Sequence, residues 1–145
     1  MDYRCFGRDL LVRHDKGEEL HDAIRSLGDH GINTAAITSG IGRIRETVIG
    51  FLDSEGIYQK VRFEEPMELL SMQGNLARGP DGPFTHIHIV ASDDNHVVRG
   101  GHLFEAIVEV TAEIHMRKFG EDEGTMVREA TESEFLRLSF CDLEG

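Results

Sequence analysis

Hydrophobic and polar residues alternate with a period of two along much of the chain, most clearly in the stretch 108–117. One parity holds Val108, Val110, Ala112, Ile114 and Met116, and the other holds Glu109, Thr111, Glu113, His115 and Arg117. Because successive side chains of a strand point to opposite faces, this pattern predicts a half-buried β-strand.

Several shorter segments also have strand character. They are rich in β-branched or aromatic residues, or alternate in the same way, and cover residues 6–12, 34–38, 47–52, 57–63, 68–72, 84–91 and 136–140. The polar run Ser92–Asn95 predicts a tight turn that leads back through His96–Val98. Residues 84–98 are therefore expected to form a β-hairpin.

One segment has the spacing of an amphipathic helix. Leu20, Ile24 and Leu27 fall on one helical face, Asp15 with Glu18 three residues later is a candidate capping box, and Gly28 and Gly31 are expected to end the helix. With a loop at 77–83, the pattern predicts a single α+β domain over residues 1–145. It would contain one main helix plus short helices and a mostly antiparallel sheet of about seven strands.

Composition narrows the class of protein. The chain has 145 residues, 39% hydrophobic and 29% charged, with a net charge of −12 at pH 7. Such an acidic chain is expected to repel nucleic acid, so its charge argues against direct DNA binding. With no long apolar run and no secretory pattern at Met1–Cys5, we expect a cytoplasmic protein that does not enter a membrane. The two cysteines, Cys5 and Cys141, lie near opposite ends of the chain. They are expected to be free thiols, and a disulfide that joins two terminal strands is the alternative.

Three histidines form the strongest chemical signal. His86 and His88 are two residues apart on a predicted strand, so both imidazoles project from one face while Ile87 and Ile89 point to the core. His102 follows the hairpin and the Gly100–Gly101 pair, and the returning strand could bring it beside them. Three imidazoles at one point match a zinc site that leaves a fourth position open. Neutral imidazole also suits copper, nickel or iron, and the alternative is a pair of ordinary surface histidines.

Two further features have candidate roles. Glu113 could orient a ligand histidine or act as acid or base on a metal-bound water, if its face looks toward the histidines; otherwise it is a solvated side chain. The segment Thr38–Arg43 has small residues and glycines whose backbone N–H groups could bind an anion, with Arg43 as a clamp. A tight turn after a strand is the alternative for that segment.

Together these residues resemble a known family, the plant and prokaryote conserved (PPC) domain in its stand-alone prokaryotic form. The similarity extends from about Arg8 to Phe119 and rests on short motifs in the same order: Ser39–Gly42, Glu68–Asn75, Phe84–His88, Gly100–Leu103 and Thr111–Glu113. The resemblance implies an antiparallel-sheet subunit that assembles as a homotrimer and holds a metal, usually taken as zinc, on His86, His88 and His102.

The resemblance leaves the activity open between two main readings. In one, the zinc faces a small polar or anionic ligand oriented by Ser39, Arg43 or Asn75, with Glu113 as a candidate catalytic residue. In the other, the zinc is structural and the domain is a protein-interaction or DNA-associated regulatory module. Plant members are joined to AT-hooks, and this chain has no such hook, so a DNA-binding label would rest on family association only.

Overall fold

Nine strands and one α-helix make up the described part of this computed structural model, which covers residues 1–119 and 125–141. The strands are β1 (Asp2–Phe6), β2 (Asp9–Asp15), β3 (Ala35–Leu52), β4 (Tyr58–Phe63), β5 (Met67–Gly79), β6 (Gly82–Ser92), β7 (Val98–Lys118), β8 (Thr125–Glu129) and β9 (Arg137–Cys141). The helix α1 (Leu20–Arg25) continues into a 3₁₀ helix (Ser26–His30). No helix in these residues has the length and apolarity needed to cross a membrane.

All nine strands belong to one sheet with the path β1-β2-β7-β3-β5-β8-β9. Strand β4 pairs with β3, and β6 pairs with both β5 and β7, so β3, β5, β6 and β7 pair in a closed circuit. All pairings are antiparallel except the single contact between β5 and β8, which makes the sheet mixed. The predicted α+β class is confirmed, whereas the predicted number of about seven strands is too low.

The core lies between the curved sheet and the short helix. Its largest fully buried side chains come from α1, from the 3₁₀ helix and from the long strands, and include Leu20, Ile24, Leu27, Ile44, Leu69, Met72, Ile87, Leu103, Ile114 and Met116. The stripe of α1 predicted from the sequence is thus the face that packs on β6 and β7. In β7, the apolar parity is buried as predicted except at Val110, which is 59% exposed.

The helix boundaries differ from the sequence prediction. Glu19, not Asp15, is the N-cap, and its carboxylate accepts a hydrogen bond from the backbone N–H of Asp22. The predicted contact between Asp15 and Glu18 exists, because the Glu18 carboxylate accepts from the Asp15 N–H, but it closes a turn before the helix. Gly28 lies inside the 3₁₀ helix, and only Gly31, with a left-handed φ of 79°, ends it.

Two predicted interruptions are absent because the strands are longer than their apolar runs. The segments 34–38 and 47–52 belong to one 18-residue strand, β3, so Thr38–Arg43 is neither a tight turn nor a loop. The predicted loop 77–83 is a tight hairpin in which Gly79 pairs with Gly82. Register shifts between β3 and β7 let such a long strand bend around the core without ending.

The hairpin between β6 and β7 is confirmed. Asp93 organises its turn, because one carboxylate oxygen accepts hydrogen bonds from the N–H groups of Asn95 and Val97. The other oxygen pairs with the Arg99 guanidinium at 2.7 Å. This turn sets the register in which β7 returns along β6.

Candidate metal centre

The β6–β7 hairpin brings the three predicted histidines together. His88 on β6 and His102 on β7 are direct cross-strand partners, and His86 is two residues before His88 on the same face. The intervening Ile87 is fully buried in the core. The sequence prediction that the hairpin returns His102 to the other two histidines is therefore confirmed.

Glycines allow the strands to approach closely around these histidines. A Cβ on Gly101 would lie 2.8 Å from the backbone oxygen of Gly50 on β3, and one on Gly74 would lie 1.9 Å from the backbone oxygen of His86. Both distances are shorter than any real Cβ contact, so side chains at these positions would push β7 or β5 away. Glycine at both sites fixes the backbone that carries His86 and His102.

The imidazoles converge on one small volume. The ring centroids of His86, His88 and His102 are 4.9 to 5.3 Å apart. One ligand nitrogen from each ring lies within 4.8 Å of the others. The Nε2 atoms of His86 and His88 are 3.0 Å apart. This is the largest concentration of imidazole in the described residues.

The environment keeps the rings of His86 and His102 neutral. Burial lowers the pKa of His86 to about 4, helped by the nearby charges of Arg128 and His88. Burial also lowers the pKa of His102 to about 4, with smaller contributions from His86 and His88. At neutral pH both imidazoles hold a free lone pair, which is the form that binds a metal.

The donor set fits a tetrahedral metal ion. With Zn–N distances of 2.0–2.1 Å, two nitrogens of a tetrahedral site lie about 3.3 Å apart, close to the observed separation of His86 and His88. The Nδ1 atom of His102 is buried and has no hydrogen-bond partner. Three imidazole nitrogens with no carboxylate among them suit zinc better than calcium or magnesium.

Aromatic side chains hold His102 from the other side. The rings of Tyr58 and Phe104 lie 4.7 and 4.6 Å from the His102 ring and contact each other edge to face. The ammonium of Lys60 lies 4.0 Å from the centre of the Phe104 ring. These contacts fix the orientation of His102 without using its nitrogens.

The three histidines line a cavity of about 1050 Å³, a volume in the range of small-molecule sites. His21 of α1 also lines it, but both of its ring nitrogens are engaged. Its Nε2 donates to the carbonyl of Leu103 at 3.0 Å, and its Nδ1 accepts from the Thr85 hydroxyl at 2.7 Å. His21 therefore supports the wall and leaves the cluster with three ligands.

The other sequence-predicted residues lie in different places. Asn75 is the cross-strand partner of His86, and its side-chain oxygen accepts a hydrogen bond from Arg128. Ser39, Arg43 and Glu113 do not line the cavity. Their pairing with neighbouring strands places them on the outer face of the sheet, where Arg43 binds the Glu68 carboxylate at 2.6 Å.

Sequence reasoning missed the residues that surround the cluster. Tyr58, Phe104 and His21 come from three separate elements, and Arg128 comes from β8. Only the aromatic content of 57–63 and 103–104 hinted at a role, and an aromatic residue on a strand is more often core. Their convergence depends on the closed strand circuit, which no local pattern reveals.

The fold and the cluster define a class: a small, mostly antiparallel sheet protein in which three clustered histidines line a cavity. The family's sequence model, the Plants and Prokaryotes Conserved (PCC) domain, matches residues 1–120. The chain belongs to this family, whose name is also abbreviated PPC, and the resemblance seen in the sequence motifs is confirmed. No curated protein matches the chain.

Solved structures share the fold over nearly the whole chain. A plant- and prokaryote-conserved protein from Pyrococcus horikoshii is 30% identical, with a TM-score of 0.81, and the match covers 98% of this chain and 97% of that one. A metal-containing protein from Archaeoglobus fulgidus is 35% identical, with a TM-score of 0.77 and coverages of 99% and 97%. A proposed DNA-binding protein from Bacteroides thetaiotaomicron, 23% identical with a TM-score of 0.84 and both coverages at 96%, shares the fold.

Proposed function

We propose that this PCC-domain protein binds zinc through His86, His88 and His102 and leaves one metal position open to a small molecule in the cavity. The observation that carries the proposal is the convergence of three imidazoles in the wall of a cavity of about 1050 Å³. The Archaeoglobus relative, 35% identical, is named as metal-containing, which supports a metal in this family. Three protein ligands are typical of catalytic rather than structural zinc sites.

When bound, zinc would act as a Lewis acid and lower the pKa of a coordinated water toward ~7. The chain's own residues orient the ligands and shape the cavity. Tyr58 and Phe104 hold the His102 ring, and Lys60 is a polar side chain of the cavity wall that could contact a ligand. Asn75, the cross-strand partner of His86, does not line the cavity and is held by Arg128.

We further propose that the chain assembles as a homotrimer through the outer face of the sheet. Exposed apolar side chains on this face occur on β2, β3 and β5: Leu11, Ile41 and Leu70 are 53%, 56% and 47% exposed. Apolar surface of this kind commonly marks an interface.

The outer face also gives Glu113, Ser39 and Arg43 a place in the proposal. Ile41 and Glu113 are cross-strand partners, and Ser39 and Arg43 flank Ile41 on the same face. In the trimer these polar residues would border the contact between copies. A role for Glu113 as acid or base, or as an orienting group, would then be exerted at the cavity of an adjacent copy.

A thermal unfolding experiment tests the metal site. Zinc added to chelator-treated protein should stabilise it by about 2.7 kcal/mol when its free concentration is a hundred times the dissociation constant. The His88→Ala variant should show no zinc-dependent stabilisation, whereas His96→Ala, which removes an exposed histidine of the turn, should respond like the wild type. Equal responses of all three proteins would contradict the proposed ligands.

Cobalt substitution distinguishes the open site from a structural one. Azide added to the cobalt-loaded protein should change the visible absorption bands, because it enters the open position. A fourth protein ligand would leave the spectrum unchanged, and that result would favour the alternative function, an interaction module in which the metal is structural.

A further inference from the structure

One wall of the cavity is formed by residues that lie beyond the part of the chain matched by the family model. The family match ends at residue 120, yet Glu134, Phe135 and Leu136 line the cavity. This wall is fixed to the turn between β3 and β4. The Glu134 N–H donates to the carbonyl of Gly56 at 3.0 Å, and the Glu134 carboxylate accepts from the Tyr58 N–H at 2.6 Å. The C-terminal segment therefore helps to decide what the cavity accepts.

A buried cation lies behind this wall. Arg128 is only 7% exposed, and among the described residues it has no carboxylate partner. Its guanidinium donates to the carbonyl of Leu136 at 3.1 Å and to the side-chain oxygen of Asn75 at 2.5 Å, while its Nε is buried without a partner. A buried charge is costly unless an opposite charge compensates it.

The position of Arg128 ties its charge to the cavity. It lies 5.8 Å from the centre of the Phe84 ring, and Asn75, which it holds, is the cross-strand partner of His86. Arg128 does not itself line the cavity, so it acts on the contents through its field and not through direct contact. Inside a protein such a field is screened much less than in water.

The other charges of the cavity favour an anion as well. Lys60 lines the cavity and has no ion pair in the described part of the chain. The acidic side chains of the wall are already engaged by donors of this chain: Glu19 by the N–H groups of Asp22 and Ala106, Asp22 by Arg25, Glu105 by Arg62, and Glu134 by the Tyr58 N–H. The hydrogen bonds from N–H groups leave the charges of Glu19 and Glu134 in place, so the positive charge is local to the histidines. Arg128 holds Asn75 beside His86, Lys60 lies over the Phe104 ring beside His102, and a bound divalent metal would add to both charges.

The remaining surface suits a flat apolar group. Four aromatic side chains line the cavity, Tyr58, Phe84, Phe104 and Phe135. Offset or edge-to-face packing between aromatic rings is favourable, and the cavity volume exceeds what a lone carboxylate or phosphate would fill. An ion without such a body would leave most of this wall in contact with water.

We propose that the ligand of this site is a small aromatic carboxylate. Its carboxylate would take the open metal position, its ring would pack against the aromatic wall, and Arg128 and Lys60 would select its negative charge. This inference rests on the proposed metal site, and it adds the chemical class of the ligand and the residues that choose it.

Calorimetry on zinc-loaded protein tests the proposal with three probes of one shape: 2-naphthoate, 2-naphthalenemethanol and 2-naphthylmethylamine. Naphthoate should bind at least about tenfold more tightly than the alcohol, and the amine should bind most weakly. Acetate, which has the charge without the rings, should bind at least about tenfold more weakly than naphthoate.

Two variants test whether Arg128 and Lys60 cause the preference for the carboxylate over the alcohol. Arg128→Met and Lys60→Met should each weaken naphthoate binding, by about tenfold for the buried Arg128, and leave the alcohol unchanged. The matched control is Arg25→Met, since Arg25 lines the cavity but is paired with Asp22 at 2.5 Å. Because Arg128→Met could fail to fold, Lys60→Met on the exposed surface keeps the proposal testable.

The zinc content of each sample separates the two proposals. Zinc at one per chain with equal affinity for naphthoate, alcohol and amine would overturn the aromatic-carboxylate ligand and leave the metal site standing. Acetate binding as tightly as naphthoate would overturn the aromatic part. A wild-type protein that holds no zinc would overturn both proposals.

Discussion

At the scale of single residues, the proposed metal site depends on two glycines as much as on three histidines. Gly101 lets β7 approach β3, because any Cβ there would meet the backbone oxygen of Gly50 at 2.8 Å. Backbone atoms cannot move aside as a flexible side chain can. The strand that carries His102 would have to shift instead.

The Gly101→Ala variant should therefore lose about 1–3 kcal/mol of stability and bind zinc more weakly. Urea unfolding and a zinc titration measure the two effects. Gly17→Ala is the control, because its φ of 92° strains the backbone while its Cβ would meet nothing within 4 Å. It should lose stability and keep its zinc affinity; equal zinc affinities in all three proteins would refute the close-approach argument.

The burial of His14 without hydrogen-bond partners predicts how the free energy of unfolding depends on pH. It is fully buried, both ring nitrogens lack hydrogen-bond partners, and burial lowers its pKa despite the nearby Glu18 carboxylate. The unfolded chain takes up a proton near its ordinary pKa of about 6.5, and the folded chain does so only at lower pH. Stability should therefore fall as the pH drops below ~6.5, by up to about 1.4 kcal/mol per pH unit from this residue.

Replacing His14 with Leu should make the free energy of unfolding depend less steeply on pH over the roughly two pH units around the ordinary histidine pKa. Urea unfolding at several pH values from about 5 to 7 measures this dependence. The exposed His30→Gln controls for the loss of an imidazole. A His14→Leu protein with the wild-type slope would show that His14 does not carry the effect.

At the scale of elements, the β6–β7 turn sets the register of the site. Asp93 binds two backbone N–H groups of the turn and the Arg99 side chain. Within the described residues, the one side-chain hydrogen bond of Asp94 is to the side chain of Asn95. The register that follows places His102 opposite His88.

Asp93→Ala should lower the melting temperature and weaken zinc binding, because the turn loses its side-chain hydrogen bonds. Asp94→Ala should change neither quantity measurably. Thermal unfolding with and without zinc compares the two; identical behaviour of both variants would mean that the turn does not control the register.

The elements also show how far the sequence could predict this fold. A period of two identified β7, and the polar turn after residue 91 identified its hairpin, because both signals are local. The extent of β3 and the strand pairing through 77–83 were missed, since glycine and proline at bulges and tight turns look like strand ends. His86, His88 and His102 were predictable from one hairpin, whereas Tyr58 and Arg128 reach the cavity through long-range pairing.

At the scale of the whole molecule, the outer sheet face predicts assembly. Ile41 of β3 is 56% exposed on the outer face, which also carries the exposed Leu11 of β2 and Leu70 of β5. Ile41→Glu would add a desolvated charge to the proposed contact and should dissociate the trimer. Val97→Glu, at the tip of the β6–β7 hairpin, is the matched control and should remain trimeric.

Light scattering coupled to gel filtration measures both variants and the wild type. A monomeric wild type would remove the proposed interface, and with it any role of Glu113, Ser39 and Arg43 at a neighbour's cavity. The two cysteines are both exposed and free, on the terminal strands β1 and β9, so the assembly can be measured under reducing conditions without loss of a disulfide.

The central claim is that three imidazoles hold one zinc ion, and elemental analysis of the purified protein tests it most directly. The account predicts about one zinc per chain in the wild type and in His96→Ala, and none in His88→Ala, with all three proteins folded. Zinc that is absent from the wild type, or that persists in folded His88→Ala, would contradict it.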